Sequence, residues 1–370
     1  MTAPLRFIMI GGFLGAGKTT TIGRLAATYQ QQGHKVGIVV NDQASDLVDT
    51  QSLRRQGFEV GEVAGACFCC NFNELTDTVA ALEEQNHPDI VLAEPVGSCT
   101  DLVATVIQPL LRLCGEQFSV SPYGVILKPS HGRRILTDSE QGFSPKAAYI
   151  FKKQLEEADF VMINRIDELE ADERECLQQL LTRQVPETPV LSVSAKTGEG
   201  FDAVLKMLDQ QGPFGQKILD LDYDLYAEGE AELGWLNSSL RVTGGAPFSL
   251  DGLLLGIVSR LKETLARENA ETAHLKVIGL WEGFYGVANL ISGESPPELS
   301  LAAGCKTTSA DVILNARVAS SPELLIELVE QAVEETCRSV GASAEFVRTQ
   351  SFRPSRPLPT HRFDTALSEQ

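Results

Sequence analysis

The sequence predicts an α/β protein: a mostly parallel sheet with helices on both faces, followed by a smaller C-terminal α+β domain. Three observations carry that expectation. Short Val- and Ile-rich runs without polar alternation recur between helical stretches, the pattern of strands buried on both faces. A glycine-rich loop joins the first of these runs to the first helix. From about residue 219 the order changes to several strands in succession with two long amphipathic stretches.

The elements follow in order. "RFIMIGG" reads as a buried strand and residues 18–32 as a helix. "KVGIVVND" is a second strand, "DIVLAEPVG" a third, "YGVILK" a fourth, "ADFVMINRID" a fifth and "PVLSVSA" a sixth. Helical stretches such as "NELTDTVAALEEQ", "PKAAYIFKKQLEEA", "ADERECLQQLLTRQ" and "GEGFDAVLKML" lie between or after them. The turn-rich "QGPFGQ" then marks a boundary, giving domains at 1–212 and 213–345. The second domain reads β-α-β-β-β-α, its first helix beginning at "SLDGLLLGIVSRL" with Ser249 as N-cap. Residues 346–370, rich in Pro and polar side chains, read as a disordered tail. No internal repeat is visible.

Composition narrows the function. The 370 residues carry a formal net charge of −19, which argues against nucleic-acid and anionic-membrane partners, since both need a basic face. No run reaches the roughly 18 apolar residues of a membrane span. The N-terminal apolar stretch leads into glycines and a lysine rather than a cleavage site, so it reads as a strand and not a signal peptide. Five of the eight cysteines, Cys99 among them, are scattered, as in cores of a reduced cytoplasmic protein.

Ligands of a parallel sheet sit at the carboxyl ends of its strands, and the candidate motifs fall there. Gly12-x-x-x-x-Gly17-Lys18-Thr19 stands between a predicted strand and a predicted helix, the context a P-loop requires. Backbone amides of Gly12, Gly15, Ala16 and Gly17 at the helix N-terminus would cradle phosphates. Lys18 would reach the β and γ oxygens, and Thr19, followed by Thr20, would ligate Mg²⁺. After the fifth strand, "INRID" supplies Asn164, Arg165 and Asp167. Asp167 could accept from the two ring donors of guanine, which adenine lacks; Asn164 would brace the loop and Arg165 stack on the base. "SVSAKTG" adds Ser194, Ala195 and Lys196 after the sixth strand. Both tetrapeptides at successive strand ends favour GTP over ATP. Glu94 and Gly97 close the third strand; the carboxylate could hold Mg²⁺ or position water, and the Gly97 amide could sense the γ-phosphate. Asp42 is a second acidic candidate for Mg²⁺, with Asp46 and Asp49 following in a switch-like segment.

"GEVAGACFCCNFNEL" puts Cys67, Cys69 and Cys70 within four residues. Three readings stand: a redox centre, inert buried thiols, or a metal site. Deprotonating each thiol at pH 7 costs about 2 kcal/mol, or about 6 for three, against the roughly 10–16 kcal/mol a structural zinc site supplies. The metal reading therefore survives the arithmetic. Soft thiolates favour Zn²⁺ or Cu⁺, with Co²⁺ or Ni²⁺ as alternatives, and three sulfurs leave a tetrahedral position for a ligand the sequence does not name.

Gly12–Thr19, Asn41-Asp42, Glu62 leading into Cys67-Phe68-Cys69-Cys70, Glu94-x-x-Gly97 and "QLEEADFVMINRID" occur in that order. In this the chain resembles the CobW-type metal-chaperone GTPases, relatives of the urease and hydrogenase accessory GTPases. The resemblance covers about residues 5–205 well. It implies slow, switch-type GTP hydrolysis, metal held on the Cys-x-Cys-Cys loop, and delivery to a client metalloenzyme or cofactor-pathway protein, in a family whose members often form homodimers. The family usually has glycine where Ala66 stands, glutamate at Asp42 and lysine at Arg165. A second reading is a regulatory GTPase for a cobalamin or methyl-transfer system, its cysteines structural; a third is a nucleotide-binding scaffold without turnover.

Overall fold

The computed structural model describes residues 4–42, 48–137, 144–290, 293 and 295–367. The chain divides into two compact units. The first takes most of the chain to Gly229 and then the C-terminal segment from Arg356; the second takes Glu230–Ser355.

In the first unit β1 (Leu5–Gly11) is followed by α1 (Lys18–Gln31), β2 (Val36–Asp42), α2 (Val48–Arg55), β3 (Glu59–Ala64), α3 (Phe72–Asn86) and β4 (Ile90–Glu94). Then come α4 (Gln108–Leu113), β5 (Phe118–Val120), β6 (Gly124–Leu127), α5 (Pro129–Leu136), α6 (Pro145–Glu157) and β7 (Phe160–Ile163). The remaining elements are α7 (Ala171–Gln184), β8 (Val190–Ser192), α8 (Phe201–Leu208) and α9 (Tyr223–Glu230). The sheet has eight strands in the order β3-β2-β4-β1-β6-β7-β8, with β5 also on β1, and its registered pairs are parallel. Right-handed crossovers carry the chain outward through α1 and α2 on one face and back through α3 on the other.

Burial explains why these segments are strands. Phe7, Ile8, Met9 and Ile10 of β1 are almost wholly buried on both faces, as a central parallel strand requires. Two strands go beyond the six expected. β3 has an edge pattern in which Val60 and Val63 are buried while Glu59 is exposed. β5 has only three residues. It and β6 share one side of β1, β5 pairing Leu5–Phe7 and β6 pairing Ile10 and Gly11.

The second unit runs β9 (Gly234–Ser249), α10 (Leu250–Arg267), β10 (Thr272–Trp281), β11 (Phe284–Leu290), β12 (Glu298–Leu301), β13 (Lys306–Val318), α11 (Pro322–Ser339) and β14 (Ala342–Phe352). Its antiparallel sheet is ordered β12-β11-β10-β13-β9-β14. Leu254, Ile257, Leu261, Val329 and Val333 of the two helices share a core with Leu240, Val242, Val312 and Leu314 of the sheet. Ser249 caps α10 by accepting from the Gly252 amide at 3.1 Å, as expected.

Two boundaries differ from expectation. "QGPFGQ" is not where the first unit ends. Gln108 donates to the Gly215 carbonyl at 2.7 Å and the Gly215 amide to Asp159 at 2.9 Å, so buried polar groups hold that turn to the unit. Nor is the tail from residue 346 unstructured. β14 runs on to Phe352 against β9, and residues 356–367 lie along the first unit. There Arg362 pairs with buried Asp101 at 2.7 Å, the Phe363 amide donates to the Ala104 carbonyl at 3.1 Å, and Arg112 donates to the Thr365 carbonyl at 2.7 Å. A Pro-rich segment that bonds through its backbone to loops has no periodicity, so its composition resembles that of a disordered chain. Among the described residues no helix is long and apolar enough to cross a membrane.

Candidate functional site

The phosphate loop is built at the carboxyl end of β1, beside the point where the sheet order reverses. Gly12 has φ +133° and a Cβ there would stand 2.0 Å from the Ile126 carbonyl oxygen. Gly17, with φ +97°, caps α1, and its Cβ would fall 2.4 Å from Asn164 Nδ2. Both positions therefore demand glycine. Gly15 is also left-handed at φ +71°. Lys18 is buried and folds its ammonium onto the Gly12 carbonyl at 3.0 Å.

Thr19 Oγ1 donates to Glu94 Oε1 at 3.0 Å, and a Cβ on Gly97 would lie 2.9 Å from Lys18 Nζ. The ends of β1 and β4 thus bring Lys18, Thr19, Glu94 and Gly97 together. A hydroxyl and a carboxylate in contact are a hard-oxygen donor pair of the kind Mg²⁺ takes. Thr20 faces solvent one residue on. Asp42 ends β2, two residues beyond Val40, which is in register with Glu94; its side chain and that of Asp49, like the whole of Asp46, lie outside the described residues.

Asn164 is the brace between two loops. Its Nδ2 donates to the Ala16 carbonyl at 2.8 Å, and its Oδ1 accepts from the Ala195 amide at 2.9 Å. Ser194 Oγ accepts from the Thr197 amide at 3.0 Å and tightens the second loop. Arg165 takes the left-handed conformation at φ +59°, its guanidinium pairing with Glu168 at 2.9 Å, and Asp167 is exposed beside it. Sequence reasoning missed Arg24 of α1, which donates to the carbonyls of Ala195 and Lys196 at 2.7 and 2.8 Å. An arginine inside a helix gives no sign of a contact so distant in sequence.

The three thiols sit between β3 and α3. Gly65 turns the chain at φ +88°, while Ala66 is absent from the positive-φ residues, so alanine fits there without strain. Asn41 at the end of β2 holds the loop by three bonds. Its Nδ2 donates to the carbonyls of Val63 and Ala66 at 2.9 and 2.8 Å, and its Oδ1 accepts from the Phe68 amide at 2.7 Å. Cys67 Sγ lies 2.9 Å from Cys69 Sγ and 3.3 Å from Cys70 Sγ, with 3.8 Å between the latter two. All are free thiols. With Zn–S near 2.3 Å, tetrahedral geometry sets sulfurs about 3.8 Å apart, so Cys69 and Cys70 already have that spacing and Cys67 must move back by less than about 1 Å.

Hydrogen bonds from Cys69 and Cys70, and a third shared with Cys99, hold the Cys67 thiol well below its usual range. The same bonds, with burial, push Cys69 well above it and Cys70 up to about 11. The C-terminal segment covers this loop: the Thr360 amide and hydroxyl donate to the carbonyls of Cys69 and Cys70, each at 2.8 Å, and the Leu358 amide to Cys70 Sγ at 3.2 Å.

The family model described as CobW/HypB/UreG, nucleotide-binding domain, matches residues 6–192. A zinc chaperone YeiR of Escherichia coli is 29% identical over 178 residues, covering 46% of this chain and 49% of that protein. A zinc chaperone CobW of Sinorhizobium is 27% identical over 218 residues, 53% of this chain and 60% of the other. A urease accessory protein UreG of Metallosphaera sedula is 26% identical over 216 residues, 54% of this chain and 91% of the other. The chain thus spans about half the length of the zinc-chaperone relatives.

Proposed function

The chain belongs to the CobW/HypB/UreG family through its nucleotide-binding domain, and from that footing we propose a GTP-driven metallochaperone that loads a transition metal, Zn²⁺ foremost, on Cys67, Cys69 and Cys70 and passes it to a client metalloenzyme or cofactor-pathway protein. The observation that carries the reading is the shared scaffold. The thiol loop hangs from Asn41 at the end of β2, next to the strand that ends in Glu94, and Glu94 contacts Thr19 of the phosphate loop.

In this reading GTP lies on the Gly12–Thr20 loop, with Lys18 against the β and γ oxygens. Asp167 reads guanine, Arg165 stacks on it, and Ala195 and Lys196 complete the base loop under the Asn164 brace. Mg²⁺, the partner of the phosphates, would be held by Thr19 with Glu94 or Asp42, and supplies charge to the phosphoryl oxygens when bound. Glu94 and Gly97 position water and the γ-phosphate, and hydrolysis is slow. The names of the relatives support zinc as cargo. The setting is the reducing cytoplasm, which keeps the thiols free. Homodimer formation belongs to the same proposal.

The test is metal titration of the purified protein with and without a GTP analogue. Stoichiometric Zn²⁺ binding, lost when all three cysteines become serine and shifted by nucleotide, is the expected result. GTP turnover abolished by Lys18→Ala is expected with it. No metal uptake by the wild type leaves the regulatory GTPase with structural cysteines; preference for ATP sinks the guanine assignment.

A further inference from the structure

We propose that Arg24 of α1, a residue outside every nucleotide motif of the chain, is a positioning residue for the nucleobase: it fixes the loop at residues 194–200 and so sets the preference for guanine. The proposal rests on the guanine reading above and names a residue on which that preference depends. Arg24 Nε donates to the Ala195 carbonyl at 2.7 Å and its Nη2 to the Lys196 carbonyl at 2.8 Å. Asn164 Oδ1 accepts from the Ala195 amide at 2.9 Å. Both backbone polar groups of Ala195 are therefore held, the amide by the loop after β7 and the carbonyl by α1.

The loop needs such ties. Lys196, Thr197 and Glu199 are exposed, and between Ala195 and Phe201 no side chain is buried. Gly198 and Gly200 take left-handed φ values of +92° and +80°. Bonds within the loop, from the Gly198 amide to the Ser194 carbonyl at 2.8 Å and from the Ser194 amide to the Glu199 carbonyl at 2.9 Å, fix its shape. They do not fix where it stands relative to the phosphates. Arg174 of α7 links it to the neighbouring base loop, pairing with Glu199 at 3.3 Å and donating to the Ile166 carbonyl. Arg24 links it to the helix that begins at the phosphate-binding Lys18.

Arginine suits this position. A guanidinium presents its donors in a rigid planar fork, so one side chain serves two adjacent carbonyls at once, whereas a lysine ammonium is a point charge on a flexible stem. Such charge-assisted bonds are also stronger than neutral ones. Arg24 Cζ lies 5.5 Å from the centre of the Phe201 ring at the start of α8, so the loop is gripped at both ends. Gly198 makes room for the fork: a Cβ there would stand 2.7 Å from Arg24 Nη1. Since α1 carries both the phosphate site and this tie, loss of the tie displaces the base contacts of Ala195 and Lys196 while the phosphate contacts stay in place.

The test separates base from phosphate. Calorimetry gives the affinities of wild type, Arg24→Lys and Arg24→Ala for GDP, a GTP analogue, an ATP analogue and inorganic tripolyphosphate, which has no base. Both replacements are good helix formers, and thermal melts report folding. Each variant should bind GDP and the GTP analogue about tenfold more weakly, a loss of about 1.4 kcal/mol. Each should bind tripolyphosphate as wild type does, so the preference for guanine over adenine falls by the same factor. KM for GTP should rise with kcat unchanged, the signature of lost uniform binding. If Arg24→Ala disturbs the fold, Arg24→Lys, which keeps charge and stem, decides. GTP-analogue affinity within about twofold of wild type in Arg24→Lys overturns the proposal. So does a parallel loss for tripolyphosphate and the GTP analogue, the result a general loosening of α1 would give. A wild type that binds the ATP analogue as tightly as the GTP analogue overturns the guanine reading itself, and the proposal with it.

Discussion

Replacing Asn41 by alanine is expected to weaken metal binding without touching a thiol. The side chain makes three bonds, to the Val63 and Ala66 carbonyls and from the Phe68 amide, all on the stretch that carries the cysteines. A buried hydrogen bond contributes about 1 kcal/mol net, so the variant loses about 3 kcal/mol of loop ordering. If that ordering is then drawn from metal binding, Zn²⁺ affinity falls by about two powers of ten, at 1.4 kcal/mol per tenfold. Asn41→Asp sharpens the test. A carboxylate can still accept from Phe68 but faces two carbonyls it cannot serve, so the loss should be at least as large. Competition against a chromophoric zinc chelator measures the affinity, with thermal unfolding and GTP-analogue binding on the same samples. Zinc affinity within about twofold of wild type in both variants, with the fold intact, would show that the loop is ordered by its other contacts and that Asn41 is not its anchor.

Two further outcomes follow from packing and charge. In Gly97→Ala the new methyl would stand 2.8 Å from Leu14 Cδ2, 2.9 Å from Lys18 Nζ and 3.1 Å from Leu14 Cα. Overpacking of this kind costs about 1–3 kcal/mol, and calorimetry should find GTP-analogue affinity down by roughly tenfold, more than for GDP; equal, undiminished affinities would separate Gly97 from the nucleotide. Burial pushes Glu157 up to about 8 from 4.5. Since the folded pKa is the higher, only the folded chain holds the proton between these values, and the stability it brings is full below 4.5 and lost as pH rises through 8. Its upper bound is about 5 kcal/mol, from 1.36 kcal/mol per unit. Glu157→Gln keeps an acceptor for the Val103 amide, so urea denaturation should find it more stable than wild type near about pH 8 and little different near about pH 5. Parallel pH curves for the two proteins would contradict the burial argument.

What the sequence made legible follows from the range of the physics. The central strands could be read because each is buried on both faces and shows it residue by residue, as Phe7–Ile10 do. The phosphate loop could be read because Gly12 and Gly17 answer local backbone and close-contact demands. β3 could not, since an edge strand mixes Glu59 and Gly61 with its buried valines. Helices α2, α4, α5 and α9 are short, with six to eight residues each, below the length at which a period declares itself. The partners of Asn41, Arg24 and Thr360 are set by tertiary approach. Ala66 in a position the family gives to glycine looked like a departure, yet the left-handed residue is Gly65 next to it.

Strand order limits how nucleotide and metal can influence each other. β2 and β4 are adjacent, with Val40 opposite Glu94. Past those residues, β2 supplies Asn41 to the thiol loop, and β4 leads to Gly97 beside Lys18. In the proposed chaperone, a ligand that moves Glu94 would act on the thiol loop through the neighbouring strand that carries Asn41. Linkage makes the effect reciprocal: whatever factor GTP imposes on zinc affinity, zinc imposes on GTP affinity. Coupling of about tenfold needs only about 1.4 kcal/mol of difference between the two loop states, roughly the value of a single hydrogen bond such as that from Asn41 to the Ala66 carbonyl. In the proposed chaperone, a coupling of that size is enough to hold metal more tightly in one nucleotide state than in the other.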